Sequence, residues 1–296
     1  MHFPKFWARG ESTAMVARNP QTGEPRPFQC WGWSDLSVDE ARQVGAQRAA
    51  RLAARIRGGE KLDRYSYGAP FREKVEARWQ LEGDDSDPWV IVSRNAYGCR
   101  VLNARDVFFA DIDAPEVEHF WKAIFLGLIG RGEKRRAEAL ERRREWESEA
   151  CEHIKKVLAV EGASGRVYRT YGGLRCLLTH RPFDPVDERT LSLLQRLGSD
   201  PLYVRLCSTR GCFRARLTPK PWRCGVPALD VEYPWETEEA KGRVDSWLST
   251  YQEVHSRYAT CELVTTFGTG KPGERMAALI EHHDRETGVD SGRPLA

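Results

Sequence analysis

Residues 106–206 alternate strand-like and helix-like runs in an order that few folds accommodate. Asp106-Val107-Phe108-Phe109-Ala110-Asp111-Ile112-Asp113 is an apolar strand ending in two carboxylates. Beyond it Val117, Phe120, Trp121, Ile124 and Leu128 recur at helical spacing. Arg166 to Thr170 and Leu174 to His180 read as two strands turned by Tyr171-Gly172-Gly173. Asp184-Pro185-Val186-Asp187 opens a helix, with Asp as cap, Pro in the first turn, and Leu191, Leu194 and Leu197 as its buried edge. Leu202 to Cys207 reads as a strand. The order βαββαβ predicts an α+β fold, an antiparallel sheet with helices on one face and a right-handed crossover after its first strand.

The flanks predict elaborations on that core. Phe3/Phe6/Trp7 and Phe28/Trp31/Trp33 bracket the turn Asn19-Pro20-Gln21-Thr22-Gly23, the pattern of a hairpin. Ser37-Val38-Asp39-Glu40 is a capping box, followed by the stripe Val38, Ala41, Val44, Ala49, Leu52 and Ile56, and Gly58-Gly59 ends that helix. Trp89 to Ser93 and Arg100 to Asn103 predict two strands forming a meander with the run from Asp106. A charged helix is expected from Arg131 to Leu158, a strand over Phe213–Leu217, a helix through Val244–Tyr258, a strand over Cys261–Phe267 and a last helix over Glu274–Asp284. The 296 residues therefore divide into an N-terminal aromatic and helical region (1–88), a core (89–235) and a C-terminal helical region (236–296) packed on it.

Composition excludes several classes. With 41% apolar and 30% charged residues the chain is neither disordered nor fibrous. Its most apolar run, Phe120–Gly130, contains Lys122 and falls well short of the ~20 residues of a spanning helix. Met1–Gly10 lacks the apolar core of a secretory signal, and eight cysteines are too few for a disulfide scaffold. The expectation is a cytoplasmic protein with reduced thiols and no membrane partner. Cys207, Cys212 and Cys224 are spaced more widely than usual structural zinc ligands and would need Cys176 or His180 from across the sheet, so buried free thiols are expected ahead of zinc. The net charge of +3 conceals an asymmetry: 12 basic against 4 acidic residues from Ser164 to Gly225, then 7 against 13 to the end. Positive charge follows the Asp pair along the chain and suits a polyanion-binding face. An Arg-rich coding bias predicts the same excess of 36 Arg over 10 Lys.

Asp111 and Asp113 lie two apart on a strand and so share a face, where their repulsion invites a divalent cation, Mg2+ or Mn2+. The competing reading makes Asp113 a helix cap and pairs Asp111 with an arginine. Arg169-Thr170-Tyr171-Gly172-Gly173-Leu174-Arg175 is a glycine turn flanked by basic residues, in which backbone N–H groups and guanidiniums can meet a phosphate, although an ordinary hairpin has the same pattern. Downstream, Arg214 and Arg216 share a strand face and are followed by Lys220, Trp222 and Arg223. Cations interleaved with an aromatic suit a phosphate backbone and a stacked base; a charge-protected edge strand is the alternative.

Together, an Asp-x-Asp strand end (Asp111, Asp113), a helix, and a Thr170-x-Gly172-Gly173 hairpin resemble the archaeo-eukaryotic primase superfamily, its primase-polymerase branch in particular. The resemblance covers roughly residues 100–235. It implies metal binding by Asp111 and Asp113, a metal-dependent nucleotidyl transfer, and nucleoside triphosphate and DNA or RNA as partners. It also implies a third carboxylate, for which Asp230 is the first candidate and Glu232 the second. Arg175 stands where the family carries a phosphate-binding His. That departure makes a non-catalytic nucleic-acid-binding module on the same fold the alternative, and the charged helix 131–158 as a partner surface on a scaffold a third.

Overall fold

The computed structural model describes residues 1–18, 25–60, 69–80, 88–115 and 132–296. The helix expected over Val117–Leu128 and the turn expected over Asn19–Gly23 lie outside them. The protein is α+β with antiparallel sheets, and it divides into two compact units, His2–Lys74 and Val75–Ala296 together with Met1.

The smaller unit is a hairpin covered by one helix. Strand β1 (Phe6–Arg18) pairs antiparallel with β2 (Pro25–Ser34), and α1 (Val38–Arg57) packs on one face. Ser37 caps α1 by accepting from Glu40 N at 3.1 Å, one half of the expected capping box; the Glu40 carboxylate accepts from the Ser34 hydroxyl, and the Ser37 N–H donates to Ser34 Oγ. Three glycines let the helix backbone lie directly on the strands: a Cβ on Gly32 would stand 2.1 Å from Gly45 N, and one on Gly10 2.0 Å from Ala46 N.

The larger unit holds two four-stranded sheets. One has the order β10-β7-β8-β6: β6 is Phe109–Asp113, β7 Gly165–Thr170, β8 Gly173–Leu178 and β10 Cys261–Phe267. The other has the order β3-β4-β5-β9: Lys74–Trp79, Val90–Arg94, Arg100–Ala104 and Phe213–Arg216. The run from Asp106 therefore does not continue a meander with Trp89–Ser93 and Arg100–Asn103. Those two strands pair with each other, while β6 crosses to the other sheet and pairs with β8. The C-terminal region supplies β10 to that sheet, so it is woven into this unit and not only laid against it.

Side-chain alternation sorts the first sheet into two faces. Ala110, Ile112, Leu174, Cys176 and Val167 point one way, into a core shared with Cys151, Ile154 and Leu158 of α2 (Gly132–Val160). Phe109, Asp111, Asp113, Arg175 and Tyr168 share the opposite face, where α6 (Glu274–Thr287) brings His283 against Phe109 and Tyr168.

Leu202 to Cys207 is not a strand. It lies inside the helix α4 (Pro201–Arg210), which follows α3 (Glu188–Arg196). Asp200 caps α4, Pro201 sits in its first turn, and Gly211 ends it in the left-handed region at φ 61°. Punctuation at both ends fixes ten residues as helix, and Val204 and Cys207, three apart, are buried on one side. The last strand of the expected βαββαβ series is instead β9, and it belongs to the second sheet. The α3 cap also shifts, from Asp184 to Asp187, whose carboxylate accepts from Thr190 N at 3.0 Å.

No helix among the described residues is long and apolar enough to cross a membrane.

Candidate functional site at the seam of the two sheets

Strands β6 and β9 are edges of different sheets, and two side chains stitch them together. The part-buried phenol of Tyr203, on α4, shares its single proton between the carbonyls of Phe109 (3.0 Å) and Arg214 (3.1 Å) and accepts from Arg214 N. Arg175, on β8 and only 4% exposed, reaches across to the carbonyl of Arg216 at 3.0 Å. These bonds put the carboxylate end of β6 beside Arg216 and the segment after it.

That segment is rigid. The Tyr251 hydroxyl donates to the carbonyl of Pro219, and Cys99 Sγ approaches the same oxygen at 3.3 Å. Pro221–Arg223 then form one turn of 3-10 helix, closed by Val226 N on the Pro221 carbonyl. Lys220, Trp222 and Arg223 are thereby presented in fixed order.

The charges at this seam feel one another. Desolvation, then Asp111, then Asp200 raise the Asp113 carboxyl above its ordinary range, while Lys220 and Arg216 pull it back. Asp113 as a residue is exposed, so the crowding concerns its carboxylate end. Burial, Arg216 and Arg223 push the Lys220 ammonium down to about 8, against the opposing field of Asp111. Burial and Arg216 lower the Arg223 guanidinium to about 10. Gly172 lies between the two signs: a Cβ there would be 3.7 Å from both Arg223 Nη2 and Asp113 Oδ1.

None of these five groups has an ion-pair partner among the described residues. Elsewhere in this unit such partnerships are frequent: Glu76 with Arg94 and Arg100, Arg100 with Glu286, Asp106 with Arg275, and Arg169 with Glu147 and Glu262. At the seam, Asp111, Asp113, Lys220, Arg216 and Arg223 stand near one another without closing such a pair. Arg216 Nε and Arg223 Nη1 are in addition buried without an acceptor among the described residues, as are atoms outside the seam such as Trp7 Nε1 and Trp235 Nε1. Buried donors ordinarily find partners, so these two hold unused hydrogen-bonding capacity.

The residues expected at the site from the sequence separate into those the fold brings here and those it sends elsewhere. Asp111, Asp113, Gly172, Arg216, Lys220 and Arg223 converge. Trp222 adjoins them, with Lys220 Nζ 5.5 Å from its ring centre. Thr170 is spent on the turn, its hydroxyl accepting from Gly173 N at 3.1 Å. Gly173 is required by strand pairing, since a Cβ would fall 1.9 Å from the Ile112 carbonyl oxygen. Arg169 is a correction. It pairs across from Leu174, on the α2 face of the sheet, and its guanidinium is held between Glu147 and Glu262. Arg175 is another: it shares the carboxylates' face but is buried beneath them, spending one nitrogen on Arg216 O, Cys261 Sγ and His283 Nε2. Asp230 is a third. It is exposed and paired with Arg243 of α5 (Glu238–His255), and Glu232 is also exposed. Arg214 lies on β9 with its main chain bound to Tyr203.

Two residues at the seam escaped the sequence reading. Asp200 stands at the N-cap of α4, its N–H on the Asp111 carbonyl at 2.8 Å, and its charge reaches Asp113. The Asp-Pro pair that signals this cap was visible. Tyr97, in the β4–β5 turn, meets Trp222 edge to face at 5.3 Å, and no local pattern predicts that contact.

Two carboxylates with hard oxygen donors fit Mg2+ or Mn2+ when other ligands come from water or phosphate, because Mg2+ commonly takes only one or two protein carboxylates. Among the described residues no group of three or more His, Cys, Asp or Glu is placed to enclose a metal by itself. All eight cysteines are free thiols, and Cys207, Cys212 and Cys224 are buried. The chain matches no protein-family model, no curated protein and no solved structure.

Proposed function

We propose that the seam binds a nucleoside triphosphate with a divalent cation and that the protein is a primase-polymerase-like nucleotidyltransferase acting on DNA or RNA. One observation carries this reading: two carboxylates on one strand face and three cations opposite them, all without ion-pair partners among the described residues. A purely structural charge cluster would close into pairs, as Arg169 does with Glu147 and Glu262. An arrangement left open suits a ligand that carries both signs, and a metal–polyphosphate complex does.

In this reading Asp111 and Asp113 hold the cation, and Arg216, Lys220 and Arg223 take the polyphosphate oxygens. The cation would supply charge neutralisation on the reacting phosphoryl group and on the pyrophosphate that leaves. Lys220 has a clear part of its own. Burial and then two guanidiniums depress its proton affinity in the free protein, and an arriving phosphate would raise it again, fixing a full positive charge at the leaving group. Arg175 acts at one remove, holding the Arg216 main chain in place.

The test is nucleotide incorporation on primed and unprimed templates with Mg2+ or Mn2+, together with Mn2+ binding in the presence of nucleotide. Asp111→Ala/Asp113→Ala should abolish both. Among the described residues no third carboxylate completes an enclosing metal site, which favours the second reading, a nucleic-acid-binding module without chemistry. No incorporation by wild type, with nucleic-acid affinity unchanged in the double variant, would establish that reading and refute the first.

A further inference from the structure

We infer that Tyr97 and Trp222 form a base-stacking subsite, so that the ligand of the seam is a nucleotide and not a bare polyphosphate. The inference rests on the nucleotide reading above and adds the part of the ligand that the charges do not select.

Trp222 is 49% exposed and Tyr97 46% exposed, although they touch. Single exposed apolar residues need no explanation, but two large rings in mutual contact at the surface keep water on area that a slightly different loop would bury. Their planes stand at 90° with centroids 5.3 Å apart, an edge-to-face contact that leaves about half of each residue exposed.

Both rings are carried on stiff supports. Trp222 lies in the middle of the 3-10 turn, between Pro221 and Arg223, with the turn tied back by Val226 N. Tyr97 follows Asn95, whose side chain accepts from Tyr97 N and Cys99 N at 3.0 Å each. Gly98, at φ 88°, then packs on Trp247, and a Cβ there would meet that indole at 2.2 Å. A platform prepared in this way binds a flat ring with little further loss of freedom.

The ring pair is continuous with the charged seam through Lys220. Its ammonium lies 5.5 Å from the Trp222 ring centre and within the field of Asp111, Arg216 and Arg223. One residue thus borders both the aromatic and the anionic halves of the site. On the far side Arg223 stacks on Tyr171 at 3.9 Å, which fixes the guanidinium that faces Gly172 and Asp113. A ligand with a flat π-face at one end and clustered negative charge at the other matches this layout. Stacking on aromatic side chains tolerates any base, so the subsite selects for nucleotides without choosing among them.

The test compares affinities for a nucleoside triphosphate and for inorganic tripolyphosphate by calorimetry, both with Mn2+. The wild type should bind the nucleotide about tenfold or more tightly, the scale of one stacked base. Trp222→Ala should bring the ratio of the two affinities close to one, Tyr97→Ala should lower it partly, and Trp222→Phe should restore most of it. Equal affinities in wild type, or a ratio unmoved in Trp222→Ala and Tyr97→Ala, would overturn the stacking subsite while leaving a polyphosphate site standing. Failure of wild type to bind either ligand would overturn the nucleotide reading and this inference with it.

Discussion

Replacing Gly173 by alanine and replacing Gly172 by alanine should have opposite consequences, although the two glycines are neighbours in one motif. A Cβ on Gly173 falls 1.9 Å from the Ile112 carbonyl oxygen and 3.0 Å from Asp113 Cα, whereas ordinary contact begins at 3.4 Å. Strands β6 and β8 would have to part by roughly 1.5 Å at the Asp113↔Gly173 end of their ladder. Overpacking of this kind costs about 1–3 kcal/mol, and a lost ladder hydrogen bond adds about 1 kcal/mol. A total near 3 kcal/mol corresponds to a fall of about 6–12 °C in Tm for a unit of this size. At Gly172 the nearest atoms are Arg223 Nη2 and Asp113 Oδ1, both at 3.7 Å, and the backbone is not left-handed. Gly172→Ala should therefore change stability by less than about 0.5 kcal/mol. Its methyl group would nevertheless occupy the gap between the carboxylate and the guanidinium, and Mn2+–nucleotide affinity should drop about tenfold, the equivalent of ~1.4 kcal/mol. Thermal melts followed by circular dichroism and a Mn2+–nucleotide titration read the two effects separately. A Gly173→Ala protein melting within about 2 °C of wild type would refute the strand-contact argument. Gly172→Ala binding like wild type would show that the ligand does not enter between Asp113 and Arg223.

Further consequences follow from the charge environment. Asp113→Asn should stabilise the protein slightly, by about 1 kcal/mol or less, because it removes a charge that burial and then the repulsion of Asp111 and Asp200 disfavour, and it should abolish Mn2+ binding by removing a ligand carboxylate; a lower melting temperature would contradict it. His283 is fully buried, pushed down to about 4 by desolvation, and neutral, with Nδ1 against Asp284 and Nε2 facing the Arg175 guanidinium. Its folded value lies below its unfolded one, so its stabilisation is complete above about pH 6.5 and is lost as pH falls toward 4, by up to about 3 kcal/mol; urea midpoints at pH 7.5 and 5 should converge in His283→Gln. Arg169→Ala should cost about 1 kcal/mol by removing a partly exposed cation from between Glu147 and Glu262, yet leave nucleotide affinity unchanged, since the side chain lies on the α2 face of the sheet; a variant that melts normally but binds poorly would return Arg169 to the site.

What the sequence discloses here depends on whether a property is local. Strands β7 and β8, helix α1 with its Ser37 cap, and the final helix were readable because each carries its own period and punctuation. The segment from Leu202 to Cys207 reads as a strand because it is a short apolar run broken only by Arg205, while the Asp200-Pro201 start and the Gly211 stop specify a helix. That misreading also hid Asp200, which exists at the seam only as the cap of α4. Alternation alone does not separate Arg169 from Arg175: a three-residue turn over Tyr171-Gly172-Gly173 sets them opposite each other on one face, whereas the register of the structure pairs Arg169 with Leu174 and Arg175 with Tyr168 and so puts them on opposite faces. Burial of Arg175 was not readable, since it depends on β9, Cys261 and α6 converging from far along the chain. The same distinction explains why Asp111 and Asp113 were found and Asp230 was misplaced. Two carboxylates on one strand share a face by covalent geometry alone. A third from another segment is brought in only by packing, and here packing turns Asp230 outward to Arg243 and brings Asp200 to the seam in its stead. The open charges of the seam therefore have two origins. The carboxylates are written locally into β6, whereas Arg216, Lys220 and Arg223 face them because Tyr203 and Arg175 hold the two sheet edges together.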